Sequence, residues 1–137
     1  MIGYVTLGTN NLRQAKAYFE AVLKPLGVTP VFGNDRFQGY VSGGSMLAVC
    51  LPYDRGPATV GNGGMVALRA PSQEVVRQIY DLALANGGRD EGPPGERLRG
   101  YYAYFRDLDG NKICVYKARR DIVAALAEAT SKEAEGR

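Results

Sequence analysis

The sequence contains no histidine and only two cysteines, Cys50 and Cys114, among its 137 residues. Histidine is the usual general base near neutral pH and a common metal ligand, so its absence removes the typical residue for both roles. The cysteines do not form a Cys-x-x-Cys pair, which argues against a zinc knuckle or a redox dithiol. Both fall in predicted strands, and two cysteines in a cytoplasmic chain are more often free thiols than a disulfide. We therefore expect free cysteines.

The sequence also lacks long apolar runs and concentrated positive charge. No apolar segment approaches the roughly 18 residues that cross a bilayer, and the first residues lack the charged-then-apolar order of a secretory signal. The net charge is +3, with arginines scattered rather than gathered into a stripe that binds phosphates. The glycine-rich segments 42–45 and 61–64 lack the Lys-Ser/Thr ending of a phosphate loop. We expect a cytoplasmic protein that binds neither membranes nor nucleic acid.

One order of predicted elements occurs twice, over about residues 1–53 and 61–118. Each copy has a strand, a helix that ends at glycine, and then short strands separated by turn residues. In the first copy Asn11 begins a capping box, and Gly27 is the residue most easily placed in a left-handed C-terminal turn. The strands of the first copy are predicted at about 4–8, 31–32, 37–41 and 46–51.

The second copy repeats these signals. Ser72 is a helix N-cap, and the helix is predicted to stop at Gly87. The segment 107–111, Asp-Leu-Asp-Gly-Asn, is the strongest turn signal, whereas 91–100 is rich in Pro, Gly and charge and is predicted to be a loop. The strands of this copy are predicted at 65–69, 101–106 and 112–116. A chain of this size with 45% hydrophobic residues suits one compact domain.

The last residues are predicted to lie outside that domain, which spans 1–118. The run 121–129 has helical composition, with Ile122, Val123 and Leu126 on one face that is expected to pack on the sheet edge or on a partner subunit. Residues 131–137 are small and charged, so we expect them to fray. Residues 119–137 are thus predicted to form a C-terminal helix and a frayed tail.

Three segments resemble the vicinal oxygen chelate superfamily, which includes glyoxalase I, bleomycin-resistance proteins and extradiol dioxygenases. They are residues 1–7, the helix over 15–26 with its Ala-Val-Leu-Lys-Pro-Leu-Gly ending, and the segment 104–113, Tyr-Phe-Arg-Asp-Leu-Asp-Gly-Asn-Lys-Ile. The resemblance implies an α+β fold in which two βαβββ modules pair into an incurved mixed sheet, here called the cup. It also implies a homodimer with the binding site inside the cup.

The resemblance further assigns four positions to metal ligands, which are His and Glu in typical enzymes of the superfamily. In this sequence they correspond to Tyr4, Met65, Cys114 and a fourth position within 48–50, none of which is His or a carboxylate. A catalytic divalent metal needs about three protein ligands drawn from imidazole, carboxylate or thiolate. We therefore predict no metal cofactor. Zinc held by Tyr4, Cys50 and Cys114 is the alternative, although such a site lacks the carboxylate base of glyoxalase chemistry.

Strand alternation, anchored on these positions, predicts which side chains face the cup, because neighbouring residues of a strand point to opposite faces. The predicted ligand-binding residues are Tyr4, Thr6, Cys50, Met65, Arg69, Tyr102, Tyr104, Arg106, Cys114 and Tyr116. Tyrosines supply flat apolar surface with polar tips, and an arginine can hold a carboxylate or phosphate through two hydrogen bonds. This favours a small anionic or aromatic ligand. The alternative is structural, since tyrosine is common in strands and arginines near strand ends are often solvated.

Three functions follow from these observations. The first is a metal-free protein that binds a small organic molecule, as resistance-type members of the superfamily sequester antibiotics by shape and stacking. The second is a metal-dependent glyoxalase-like lyase or dioxygenase, or a metal-free enzyme that uses Tyr and Arg as acid and electrostatic clamp. The third is a dimeric module that assembles with another protein. A nucleophilic Cys114 is also conceivable, but without a histidine base we favour an inert buried thiol.

Overall fold

The computed structural model describes residues 1–119 and 122–136 and has an α+β fold built from two βαβββ modules. The first module comprises β1 (Tyr4–Gly8), α1 (Leu12–Val22), a 3-10 turn (Lys24–Leu26), β2 (Thr29–Val31), β3 (Phe37–Ser42) and β4 (Ser45–Cys50). The second comprises β5 (Val66–Arg69), α2 (Gln73–Ala85), β6 (Arg89–Arg97), β7 (Gly100–Arg106) and β8 (Lys112–Ala118). A final helix, α3, spans Ile122–Glu135. The predicted repeat and fold class are confirmed.

Each module forms a four-stranded mixed sheet with the same strand order. The orders are β1-β4-β3-β2 and β5-β8-β7-β6, with one parallel pair in each, β1 with β4 and β5 with β8. The registers are also equivalent, because Gly8 lies opposite Cys50 in the first sheet and Arg69 lies opposite Tyr116 in the second. The two modules are therefore copies at the level of individual residue pairs.

Both long helices begin at the side chains that the sequence indicates. The Asn11 side chain accepts a hydrogen bond from the backbone N–H of Gln14 (3.1 Å), and the Ser72 hydroxyl accepts one from the N–H of Val75 (3.2 Å). Such caps satisfy backbone donors that the first helical turn leaves without partners. Helix α1 ends at Val22 rather than near Leu26, because Pro25 has no N–H to continue the ladder and the chain tightens into a 3-10 turn. Gly27 then adopts the left-handed conformation, with φ of 63°.

The two modules share one hydrophobic core between the helices and the sheets. Helix α2 packs against β6, β7, β8 and α1, and α1 also packs against β4. The core includes fully buried residues from both modules, among them Phe19, Val22, Val49, Ile79, Phe105 and Val115. Burying each large apolar side chain contributes about 1.5–3 kcal/mol relative to exposure. Within residues 1–119 and 122–136, no helix is both long and apolar enough to cross a membrane.

The structure differs from the sequence prediction in the second module. Residues 91–100 were expected to be a loop, but most of them belong to β6, which pairs with β7 through two register shifts between Asp90 and Gly95. An edge strand with bulges tolerates Pro93 and Pro94, since the side without a partner needs no N–H. Met65 lies just before β5 rather than within it.

The C-terminal segment also differs from its prediction. Helix α3 continues to Glu135, through most of the segment that was expected to fray. Leu126 is 64% exposed in the single chain, so its expected packing on the sheet edge does not occur there. The side chains of Ile122 and Val123, and all of residue 121, lie outside the described part of the structure.

Candidate functional site

Three tyrosines of the second module lie on the sheet face opposite the helices. Tyr102 on β7 is directly opposite Tyr116 on β8, and Tyr104 is opposite Cys114. The residues between them on β7, Ala103 and Phe105, have no solvent exposure and belong to the core. Alternation along the strand thus places Ala103 and Phe105 in the core and the tyrosines on the opposite face. We call the surface of Tyr102, Tyr104 and Tyr116 the tyrosine face.

The rings of the tyrosine face are nearly parallel and form a continuous stack. Tyr102 is central, with ring centroids 5.3 Å from Tyr116 and 6.3 Å from Tyr104 and interplanar angles of 11° and 10°. Offset stacks of this kind are worth about 0.5–1.5 kcal/mol for each pair beyond their area burial. The three side chains are half-buried, so part of each remains accessible to a ligand.

Two cationic groups lie over the Tyr104 ring. The guanidinium carbon of Arg97 is 5.9 Å from the ring centroid and the ammonium of Lys112 is 5.5 Å from it. Cations at this distance are attracted to the ring face. Arg97 belongs to β6, where Gly92 lies opposite Tyr104; a Cβ at Gly92 would come within 2.9 Å of that ring. Arg97 and Lys112 are not among the residues predicted from the sequence, and Arg97 lies on a strand that was predicted to be a loop.

Arg106 has a different environment from the one expected for a ligand clamp. Its Nε donates to the carboxylate of Glu91 (2.8 Å), and its Nη1 donates to the carbonyl of Gly110 (3.1 Å). The pairing lowers the pKa of the Glu91 carboxyl from its ordinary value, chiefly through the hydrogen bond from Arg106. Arg106 therefore joins β6 to the turn after β7, and two of its nitrogens are committed to protein acceptors.

Cys114 is buried beneath the tyrosine face, with 1% of its surface exposed. Burial raises the pKa of its thiol to about 11, although Lys112, the hydrogen bond with Tyr104 and Arg97 act in the opposite direction. The pKa of the Tyr104 phenol is raised as well, first by burial and then by the neighbouring Cys114. Both groups are thus neutral near pH 7. A thiol that keeps its proton is a poor nucleophile, which supports an inert role for Cys114.

The remaining predicted residues lie on other strands. Tyr4 and Thr6 are exposed on β1, opposite Met46 and Ala48, and Cys50 lies at the end of β4 opposite Gly8. Arg69 ends β5 opposite Tyr116 and is exposed, whereas Met65 is 47% exposed before that strand. The site residues are therefore divided between two sheets, and the ring and cation contacts described above all belong to the second.

The registers identify the fourth position that the resemblance assigns to a metal ligand. Cys114 lies opposite Ala67, two residues after Met65, and the residue opposite Thr6, two residues after Tyr4, is Ala48. The four positions thus hold a phenol, a methyl group, a thioether and a buried thiol whose pKa is about 11. This donor set does not fit a catalytic divalent metal, which needs imidazole, carboxylate or thiolate ligands. Among the described residues, no three His, Cys, Asp or Glu side chains are grouped to hold a metal.

A cavity of about 810 Å³ lies where the two modules meet, next to the tyrosine face. Its walls come from Leu23, Leu26, Val28 and Leu47 of the first module, and from the turn 42–45 between β3 and β4. The second module contributes Arg69 and Tyr116, which also belong to the predicted site, together with Lys117. The cavity cannot be predicted from the sequence, because no local pattern shows how two modules meet.

The chain matches known proteins over most of its length. Residues 1–115 match the family model described as the glyoxalase/bleomycin resistance protein/dioxygenase superfamily. A glyoxalase/bleomycin resistance protein from Albidiferax ferrireducens T118 is 37% identical, with a TM-score of 0.81 and coverage of 85% of this chain and 98% of that one. No curated protein matches.

Two more distant structures share the fold. A glyoxalase-related enzyme from Fulvimarina pelagi is 23% identical, with a TM-score of 0.70 and coverage of 85% of this chain and 87% of that one. A lactoylglutathione lyase from Agrobacterium tumefaciens is 21% identical, with a TM-score of 0.65 and coverage of 85% and 92%. At these identities the likeness shows the fold alone.

Proposed function

This chain belongs to the glyoxalase/bleomycin resistance protein/dioxygenase superfamily, and we propose that it binds a small anionic aromatic molecule on its tyrosine face without a metal ion. The observation that carries the proposal is the parallel stack of Tyr102, Tyr104 and Tyr116, with Arg97 and Lys112 over the Tyr104 ring. A flat ring can pack against the accessible parts of this stack, and a carboxylate on that ring can reach the cations.

The electrostatics of the face favour a negative ligand. Lys112 and Arg97 supply positive charge, and the Glu91 carboxylate from β6 is held by Arg106. The Tyr104 phenol keeps its proton because its pKa is raised, so it adds no negative charge to the face. Charge-assisted hydrogen bonds from cationic donors are about twice as strong as neutral ones.

The donor chemistry supports binding without a metal. A lyase or dioxygenase of the usual type would require ligands at Tyr4, Ala48, Met65 and Cys114, of which only the phenol and the thiol can ionise. Metal binding by Cys114 requires the thiolate, and a pKa of about 11 makes loss of the thiol proton unfavourable near pH 7. The name lactoylglutathione lyase belongs to a structural neighbour that is 21% identical, and nothing in the donor set of this chain favours that reaction.

The proposal includes a cytoplasmic homodimer. The apolar side chains of Ile2, Tyr4 and Met65 are 67%, 62% and 47% exposed in the single chain, which is consistent with a face that a second copy covers. Light scattering on the purified protein tests this directly. A dimer mass supports the assignment, whereas a monomer at micromolar concentration contradicts it.

A thermal-shift series on EDTA-treated protein tests the proposed function, since a ligand that binds only the folded state raises the melting temperature. Benzoate is the test ligand, benzamide removes the charge, and cyclohexanecarboxylate removes the aromatic ring. We expect a saturable increase with benzoate that is larger than with either control compound. Tyr102→Leu and Lys112→Gln should each reduce it, whereas Tyr53→Leu, at a fully exposed turn position, should leave it unchanged.

The same thermal-shift series can also contradict the proposed function. If nickel, zinc, manganese or iron(II) alone produces a saturable increase, the metal-free assignment is wrong and metal-dependent chemistry becomes the better account. If benzoate, benzamide and cyclohexanecarboxylate give equal shifts, or none does, the tyrosine face is not an anionic aromatic site.

A further inference from the structure

The tyrosine face and the cavity between the modules share a residue. Tyr116 stacks on Tyr102 and also lines the cavity, and Arg69, its partner across β5 and β8, lines the cavity as well. The two features therefore border one another at Tyr116.

The cavity wall away from Tyr116 is apolar. Leu23 and Leu26 follow helix α1, Val28 follows the 3-10 turn, and Leu47 comes from β4. Transfer of aliphatic surface from water to such a wall is favourable by about 0.8 kcal/mol for each methylene. A volume of about 810 Å³ lies within the range of small-molecule pockets, so space does not limit an aliphatic chain.

The cationic groups of the cavity lie on the side of the second module. Arg69 and Lys117 line it there, next to Tyr116, whereas the opposite end of the lining is the turn Ser42–Gly43–Gly44–Ser45. The lining thus has a cationic side towards the tyrosine face and an apolar side towards α1. This polarity matches an amphipathic anion and does not match a uniformly polar molecule such as a sugar.

We infer that the ligand of the tyrosine face carries an aliphatic tail, and that this tail occupies the cavity between the two modules. The inference rests on the proposed function and extends it, because it names the ligand class as alkyl-substituted aromatic carboxylates. The ring lies along the accessible parts of the three stacked tyrosines, its carboxylate faces Arg97 and Lys112, and the tail passes Tyr116 to contact Leu26 and Leu47.

A homologous ligand series tests the inference. Benzoate, 4-ethylbenzoate and 4-butylbenzoate are titrated into EDTA-treated protein by calorimetry. Full burial of a methylene corresponds to about a fourfold gain in affinity. Since burial in an open cavity is incomplete, we expect 4-butylbenzoate to bind at least about tenfold more tightly than benzoate.

Two variants locate the tail. Gly44→Trp places a large side chain on the cavity turn, and Gly61→Trp is the matched control outside the cavity; an added Cβ meets no atom within 4 Å at either glycine. The native chain has no tryptophan, so each new indole is also a unique fluorescent probe. We expect Gly44→Trp to reduce the tail preference to about twofold or less, with benzoate affinity unchanged, and its fluorescence to respond to 4-butylbenzoate. Leu26→Phe should reduce the same preference from the opposite wall.

The outcomes of these experiments distinguish a failure of the inference from a failure of the proposed function. If benzoate binds and chain length has no effect, the inference is overturned and the proposed function stands. If no aromatic carboxylate binds, the proposed function fails and the inference fails with it. A tail preference that persists in both Gly44→Trp and Leu26→Phe places the tail elsewhere and also overturns the inference. So does an effect of Gly44→Trp on dimer mass without any effect on the tail, which would make the cavity an interface between copies.

Discussion

At two of the places where the modules meet, the backbones are equivalent and the side chains differ. The closed junction is the end of β1 against the turn 107–111, and the open junction is the end of β5 against the turn 42–45. In the closed junction the N–H of Thr9 donates to the carbonyl of Cys50 (2.9 Å), and in the open junction the N–H of Ala70 donates to the carbonyl of Tyr116 (2.8 Å). The cavity of about 810 Å³ lies at the second of these two junctions.

Side chains of the turn close the first junction. Asn111 donates through Nδ2 to the carbonyl of Gly8 (3.0 Å) and to the carboxylate of Asp107 (2.9 Å). Asp109 accepts from the backbone N–H of Asn10 (2.9 Å), whose side chain in turn pairs with both backbone groups of Ala58. The equivalent turn in the first module is Ser-Gly-Gly-Ser, whose two glycines have no side chains with which to cross the gap. One repeat thus forms a hydrogen-bonded joint, and the other leaves a cavity.

The largest expected effect comes from opening the closed junction. Asn111→Ala removes the side-chain hydrogen bonds to Gly8 and Asp107, although Asp107 still accepts from the backbone N–H groups of Asp109 and residue 111. Leaving a buried acceptor without its partner costs about 1–3 kcal/mol. Urea denaturation should show this loss in the free energy of unfolding. Ser45→Ala, at the equivalent position of the open junction, should change it by less than about 0.5 kcal/mol; similar losses for both would remove the distinction between the junctions.

Cysteine labelling compares the interiors of the two sheets. Cys114 is 1% exposed and its pKa is about 11, whereas Cys50 at the closed junction is half-buried. At pH 8 we expect iodoacetamide to modify Cys114 on the order of a hundredfold more slowly in the native protein than in urea, because the thiolate is the reactive form. Mass spectrometry of peptides should show Cys50 modified first. Rapid native modification of Cys114 would restore the nucleophile hypothesis.

The closed junction should also respond to acid. Burial raises the pKa of Asp107 above its ordinary 3.8, although hydrogen bonds from Asn111 and Asp109 act in the opposite direction. The folded protein therefore binds this proton more tightly than the unfolded chain, and ionised Asp107 lowers stability. Relative to Asp107→Asn, wild type should gain stability as the pH falls from 7, with the gain complete below about 3.8. Denaturation of both proteins across this pH range measures the difference. A fall in the stability of wild type relative to Asp107→Asn as the pH decreases would contradict the prediction.

The smallest effect is expected from an attempt to close the open junction. Ser45→Asn places at this turn the side chain that Asn111 provides at the other. Without an equivalent of Asp107 to orient it, the new amide should change the free energy of unfolding by less than about 0.5 kcal/mol. A stabilisation above about 1 kcal/mol by urea denaturation would show that one amide is sufficient.

The sequence predicts those parts of this comparison that depend on neighbouring residues. Asn11 and Ser72 cap their helices through contacts three residues away, and the turn 107–111 is specified by its own side chains. Alternation along β7 places Tyr102 and Tyr104 on one face for the same reason. Each of these signals is complete within a few residues of the chain.

The remaining parts depend on distant contacts. Strand β6 forms by pairing with the edge of β7. The glycines and prolines of β6 are more typical of a loop, so the sequence does not predict a strand there. Arg97 reaches Tyr104 only through that pairing. The cavity depends on the distance between two modules that are separated by the segment 51–65, and no local pattern encodes it. The sequence predicts Arg106 as a ligand-binding residue but does not predict its ion pair with Glu91. Glu91 belongs to β6, which was predicted to be a loop.

The central claim is that the tyrosine face binds an anionic aromatic ligand without a metal. The most direct measurement is a benzoate titration in the presence of EDTA, followed by the NMR signals of the ring protons of the nine tyrosines. The account predicts saturable shifts for Tyr102, Tyr104 and Tyr116 and none for the fully exposed Tyr53. Shifts that arise only after a divalent metal replaces EDTA, or that spare the three stacked rings, would contradict it.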